Sequence, residues 1–374
     1  MVTGSPSRPV EMDHWLWGGA RDWSKPLRAL VAGGGTGDGL IQLAQLLSDA
    51  GRPYQITYVD VSAAARRIAE KRAAVRKLSG ITFVTGDLFH AGSHGPFDYI
   101  DCCGVLHHLD DPQAGLNALA GFLAPDGGMG LMVYAPLGRA GVYPLQSAFR
   151  TLCDGMEPRQ RLKRARAILR AVPDAHPFKR NARLVDHEQG DAAFFDLLLH
   201  SRDKPMRITD LMEGLEIAGL AYAGSPEPML YDPAPLLPGA VPEHLGQVEV
   251  MQLAEDLRGT FKAHVVYARL NGQVVAPPKG RRDAVPHLHG VGAAPLAAHI
   301  AKTGQLIVDL AGEAFTLDLP SDASGLIAAI DGRRSLADIQ AAAGQDTEAF
   351  NAHWTPVEDA LCGAGMMHYS RLMA

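Results

Sequence analysis

Between Leu27 and Tyr134, five short apolar runs alternate with helical stretches, and this rhythm restricts the fold more than any other feature. The runs are RALVAG, QITYVDVS, ITFVTGD, FDYIDCCGV and MGLMVYAP; helices are expected at Gly39–Gly51, Ala63–Leu78 and Pro112–Leu123. Strands apolar on both faces and separated by helices belong in a parallel sheet covered on both sides. Ligands on such sheets sit beyond the carboxyl ends of the strands. Those ends are where the residues with chemistry fall.

The first end reads LVAGGGTGDG, a strand running straight into a glycine turn that opens a helix. Such a turn lets the backbone approach a ligand and points helix N–H groups at it. Alone it is a weak signal, because many glycine turns only pack a strand against a helix. Asp60 ends the second strand, where a carboxylate can accept both hydroxyls of a ribose. Asp87 ends the third strand, in reach of an adenine amino group. Each aspartate by itself reads as a cap or turn residue. Their joint spacing after the glycines points to a nucleoside.

On these motifs the chain resembles the class I S-adenosylmethionine-dependent methyltransferases. AGGGTG is similar to their first motif, TYVDVS to the acidic second, TGDLF to the third, FDYIDCCGVLHHLDDP to the fourth and LAPDGGMGLMVY to the strand that follows. The resemblance spans residues 27–134 strongly and continues weakly to 272. It implies a Rossmann-like, doubly wound, mostly parallel α/β sheet and S-adenosyl-L-methionine as methyl donor. By analogy Gly33, Gly35, Thr36 and Gly37 hold the methionine portion, Asp60 and Val61 the ribose, and Asp87 with Leu88 the adenine. Gly104 and Leu106 line the methyl-donor pocket. One position departs from the pattern. Val31 stands where most members carry an acid near the donor's amino group, which leaves the ammonium to backbone carbonyls or to Asp101. A nicotinamide dehydrogenase, the competing reading, needs a third glycine where Leu40 stands and leaves Asp87 and GVLHHLDDP without a role.

Methyl transfer from a sulfonium is an in-line displacement, so the protein mainly aligns the nucleophile and excludes water. Candidates for the acceptor side are His107 at the end of the fourth strand, Tyr134 and Tyr143 around the exit of the fifth, and His200 in FFDLLLHSRDKP. Core packing or helix capping is the plain alternative for each. The aromatic segment His14–Trp17 could fold over the donor, or simply pack.

Residues 1–272 are read as the donor-binding domain, with a helical lid or acceptor-binding insertion at about 135–207. Within it RQRLKRARAILR is the better candidate for touching an anionic acceptor, whereas ARRIAEKRAAVRK reads as an exposed helix face. FKAHVVYARL is expected as an edge strand. Residues 273–296 read as a linker, and 297–374 as a small α+β, winged-helix-like accessory domain, a kind of module that also mediates homodimers.

The net charge of −6 over 374 residues gives no global reason for nucleic acid or an anionic membrane as partner. No cysteine or histidine spacing suggests a metal site, and four cysteines do not make a disulfide scaffold. The opening Met1–Asp13 is polar and no run of eighteen apolar residues occurs, so a cytoplasmic enzyme is expected. The function expected is methyl transfer to a small nucleophilic acceptor, a thiol, hydroxyl or amine. The alternatives are a protein or peptide methyltransferase whose C-terminal module docks the substrate, and a donor-binding regulator without turnover.

Overall fold

The computed structural model describes residues 6–374; the segment 1–5, part of the polar opening, lies outside the described residues. Helix α1 (Pro9–Trp17) precedes the alternating region: β1 (Leu27–Ala32), α2 (Asp38–Asp49), β2 (Tyr54–Asp60), α3 (Ala63–Val75), β3 (Ile81–Thr85), β4 (Phe97–Cys103), α4 (Pro112–Gly121) and β5 (Leu123–Tyr134). The insertion holds α5 (Val142–Leu152), α6 (Pro158–Ala171), α7 (Pro177–Arg180) and α8 (Asp191–Leu199). Then come α9 (Ile208–Ile217), β6 (Leu220–Gly224), α10 (Gln247–Arg258) and β7 (Ala263–Leu270). The C-terminal part contains β8 (Pro286–Leu288), α11 (Ala293–Thr303), β9 (Gln305–Leu310), β10 (Glu313–Asp318), α12 (Ser324–Ala328), α13 (Leu336–Ala343), α14 (Thr347–Gly363) and β11 (Met367–Tyr369).

Seven strands form one sheet in the order β3-β2-β1-β4-β5-β7-β6. The pairs up to β5 are parallel, and β7 runs antiparallel to both β5 and β6. The Rossmann-like, mostly parallel sheet expected from the alternation is therefore present. FKAHVVYARL is not the edge, however. It supplies β7, and the short LAYAG segment, not expected as a strand, takes the outside position.

Side-chain alternation divides the core. Val31, Tyr58 and Tyr99 face α1 and α2, packing with Met12, Leu16 and Leu43. Ile100, Cys102 and Leu131 face the other way, onto Leu116, Leu211 and Met251. The insertion closes its own small core around Phe149, Leu169, Phe178 and Phe194.

Two features of the C-terminal part were not evident from sequence. Hairpin β9–β10 packs Phe315 and Leu317 into the cluster that contains Tyr231 and Phe261, and Arg258 lies over the Phe315 ring while ion-pairing with Glu313. The segment expected as linker contains β8 and the start of α11, and β8 pairs antiparallel with β11. Beside that pair lies a buried polar seam. Asp13 Oδ2 accepts from Trp23 Nε1 (2.9 Å) and Ser370 Oγ (2.6 Å), and His14 Nδ1 accepts from the Tyr369 N–H at 3.0 Å. His14 and Trp15 therefore pack against the C-terminal strand instead of folding over a donor; burial holds the His14 pKa down to about 3. Ser335 caps α13 as its spacing to Asp338 implied, with both reciprocal hydrogen bonds made. Among the described residues no helix is long and apolar enough to cross a membrane.

Candidate active site

At the end of β1 the chain turns sharply through glycines. Gly33 adopts φ +66°, and its N–H bonds the Val59 carbonyl at 2.8 Å. A Cβ there would stand 2.4 Å from Val105 Cγ2. Gly35 also has positive φ (+52°), yet nothing lies within 4 Å of its Cβ position, so this corner is open. Gly37 begins α2 without a capping side chain. Asp60 is tied to this turn: Oδ2 accepts the Gly35 N–H at 2.8 Å and Oδ1 the Ser62 N–H at 2.7 Å. The carboxylate is thus fixed at the mouth of the glycine turn, and Val61 beside it is exposed.

Asp87 stands at the end of β3, its Oδ1 accepting the Phe89 N–H at 3.1 Å. With Val59, Val84, His90 and Ala91 it lines a depression of about 320 Å³. Leu88 is buried. Past β4, Gly104 takes φ +75° and bonds the Met132 carbonyl at 3.0 Å. The Leu106 side chain belongs to the core, so it is Val105, not expected from sequence, that lies against the glycine turn.

The acceptor-side candidates converge beyond β4 and β5. His107 is fully buried; its Nδ1 accepts the Tyr134 N–H at 3.3 Å, and its ring lies 4.2 Å from both the Tyr134 and His108 rings. Tyr134 Oη donates to Asp196 Oδ2 at 3.3 Å. The Arg139 guanidinium covers the Tyr134 ring at 3.6 Å, bonds Tyr143 Oη at 3.1 Å and pairs with Asp203 Oδ2 at 3.2 Å. Gln146 Nε2 also donates to that oxygen, at 3.0 Å. His200 stacks on His108 at 3.8 Å, and both use Nδ1 toward the Arg202 carbonyl. The Lys204 N–H bonds the His107 carbonyl at 2.9 Å, so the end of the insertion is strapped to the end of β4. His107, Tyr134, Tyr143 and His200 are thus brought together. Arg139, Gln146 and Asp196 are additions, while Asp203 lies in the polar end of FFDLLLHSRDKP; Arg139 and Tyr143, four positions apart, are separated by Gly141 at φ +90° and share no helical turn.

Burial sets the electrostatics. It drives the His107 pKa down to about 2, helped by His108, Arg139 and His200, so this ring is neutral at physiological pH. Burial also lifts Tyr143 to about 12 and raises Tyr134, and both remain phenols. Because His107 Nδ1 accepts a backbone N–H, the proton of the neutral ring sits on Nε2, a buried atom without a hydrogen-bond partner. His107 therefore offers a hydrogen-bond donor and is unsuited to act as a base.

The same tautomer bears on metal binding. Ligand atoms of His107, His108 and Asp203 lie within 4.8 Å of one another. A ring nitrogen that carries the proton cannot ligate, however, and Asp203 already neutralises Arg139. We read the group as a polar cluster.

The low His107 pKa has a measurable consequence. The unfolded ring titrates near its ordinary 6.5, so its contribution to stability is complete above about pH 6.5 and is lost as the pH falls toward 2. The loss approaches about 1.4 kcal/mol per pH unit. In His107→Gln the urea midpoint should fall less steeply than in wild type between about pH 6 and 4. An unchanged slope would show that His107 titrates normally when folded.

Residues 30–129 match the family model of a methyltransferase domain. An uncharacterised Synechococcus protein, syc1184_c, is 34% identical over 229 residues, covering 56% of this chain and 53% of that one. The chain therefore spans about half the length of this relative. The structure of PKMT2 from Rickettsia typhi matches with a TM-score of 0.63 at 15% identity, over 97% of this chain and 75% of that chain. PKMT2 in complex with AdoHcy gives the same values. At this identity the likeness is one of fold, and it extends through the C-terminal helices as well as the sheet.

Proposed function

We propose that this chain, whose residues 30–129 carry a methyltransferase domain of the class I fold, is an S-adenosylmethionine-dependent methyltransferase acting on a small nucleophilic acceptor. The donor's methionine part lies over Gly33–Gly37, its ribose on Asp60 and its adenine in the depression beside Asp87. S-adenosylmethionine supplies an already activated methyl group, and the protein orients the acceptor and keeps water out.

The observation that carries the acceptor reading is the closed polar cluster formed where the insertion meets β4 and β5. Buried His107, Arg139 and Asp203 with Tyr134 and Tyr143 make a small, shaped and hydrogen-bonding surface, suited to a thiol, hydroxyl or amine on a compact molecule. Transfer to a peptide is the second reading. It is favoured by Arg159, Lys163, Arg164 and Arg170, exposed along α6, which would suit a substrate with acidic residues.

The test is a donor-dependent screen over thiols, phenols, amines and peptides, with S-adenosylhomocysteine release as readout. Turnover with a small acceptor is expected. Turnover with peptides alone would favour the second reading. Donor binding by calorimetry with no product across the panel would leave a binding protein without transfer, and the enzyme reading would fail.

A further inference from the structure

His107 Nε2 and Asp203 Oδ1 are both buried atoms without a hydrogen-bond partner, and they are of opposite kind. His107 Nε2 carries the ring proton, because Nδ1 accepts the Tyr134 N–H. Asp203 Oδ1 is a carboxylate oxygen, able only to accept. The hydrogen bonds that Arg139 Nη2 and Gln146 Nε2 give this carboxylate, at 3.2 and 3.0 Å, both fall on Oδ2. Neither side chain is exposed to solvent. A donor and an acceptor withheld from both water and protein are costly to keep, and a guest that satisfies the two together offsets that cost.

Ligand atoms of the two residues lie within 4.8 Å of each other. One oxygen engaged in two hydrogen bonds of about 2.8 Å at a tetrahedral angle spans about 4.6 Å, so a single atom can serve both. The pair also stands beside the donor turn: His107 follows closely on Val105, whose Cγ2 lies where a Cβ on Gly33 would need to be. Counting lone pairs then separates the three nucleophiles. A hydroxyl oxygen has two: one accepts from His107 Nε2–H while the other attacks the methyl carbon, and its proton points to Asp203 Oδ1. A neutral amine has a single lone pair, which cannot attack and accept from His107 together, and an ammonium has none. A thiol is a weak acceptor and a weak donor, so it would leave both buried atoms nearly unpaired.

We propose that the acceptor is a hydroxyl compound, its oxygen held between His107 Nε2–H and Asp203 Oδ1. The inference rests on the methyltransferase reading above and narrows its acceptors to one class. Neighbouring Ser201, Arg202 and Lys204 are exposed, and the acceptor enters as this segment moves outward. The oxygen's lone pair forms the new O–C bond to the methyl group as the S–C bond breaks, and that bond's electron pair stays on sulfur. The hydroxyl proton passes to Asp203 Oδ1 and from there to solvent. The products are a methyl ether and S-adenosylhomocysteine.

The experiment uses the full chain and compares, for each carbon skeleton or peptide that turns over in the screen, its hydroxyl, thiol and amine forms. The hydroxyl form should be preferred at least tenfold in kcat/KM. With it, Asp203→Asn should lower kcat about a hundredfold or more while KM stays within about threefold and S-adenosylhomocysteine binds as before, because the amide presents no base to the leaving proton. His107→Leu should lower kcat/KM about tenfold, and His107→Gln, whose amide N–H reaches the place of Nε2, should recover most of that loss. The two His107 variants strand no charge and carry the test if the asparagine variant does not fold. Preference for the thiol or amine form, or a hydroxyl substrate indifferent to both residues, would overturn the assignment. Donor binding with no product from any acceptor would sink the enzyme reading itself, and this inference with it.

Discussion

On the proposed donor placement, Asp60→Ala should cost about a hundredfold in affinity for S-adenosylhomocysteine. A carboxylate accepting two ribose hydroxyls makes charge-assisted bonds worth about 1.5–3 kcal/mol each, and alanine leaves both hydroxyls unmatched. The same carboxylate pins the Gly35 and Ser62 N–H groups, so its removal also loosens the turn that the ligand must meet. Global stability should change little, because Asp60 is only partly buried and water can reach the freed amides. Calorimetry with a parallel thermal melt separates the two. Unchanged affinity in a folded variant would move the donor away from this turn.

In the polar cluster beyond β4 and β5 the largest expected effect is on folding. Arg139→Met should destabilise the protein by about 3–5 kcal/mol, because it strands the buried Asp203 carboxylate without its cation. Replacing both partners, Arg139→Met with Asp203→Leu, should recover much of that loss, since two apolar side chains leave no charge to solvate. Urea denaturation measures both. A single-variant loss below about 1 kcal/mol would mean that Asp203 is hydrated or otherwise satisfied, and that the cluster is more open than described.

The sheet and its glycine turn were far more legible in sequence than the polar cluster beyond β4 and β5. The strands up to β5 and the glycine turn are local patterns, written in periodicities of a few residues. Asp60 and Asp87 follow because each ends a strand whose direction the alternation already dictates. Arg139 and Asp203 are 64 positions apart, and neither sits in a pattern that names the other. Their pairing is a product of how the insertion folds back on β4 and β5. Strand β6 was missed for a different reason: its five residues, LAYAG, are apolar but short, and two alanines and a glycine carry little strand preference. Of the two readings of the aromatic segment His14–Trp17, plain packing is the one observed; its partner, β11, is too short to have been named in advance.

The buried polar seam between Asp13–His14 and Tyr369–Ser370 joins positions 355 and more residues apart. During synthesis the groups on α1 must wait until residues some 355 positions further on have emerged before they find their mates. Until then a carboxylate and an imidazole destined for burial stay in water, and α1 lacks its final docking surface. Closure of the seam is thus a late event, whose long loop entropy the remaining contacts must already offset. Removing β11 should therefore be felt 355 and more residues away, as an undocked α1.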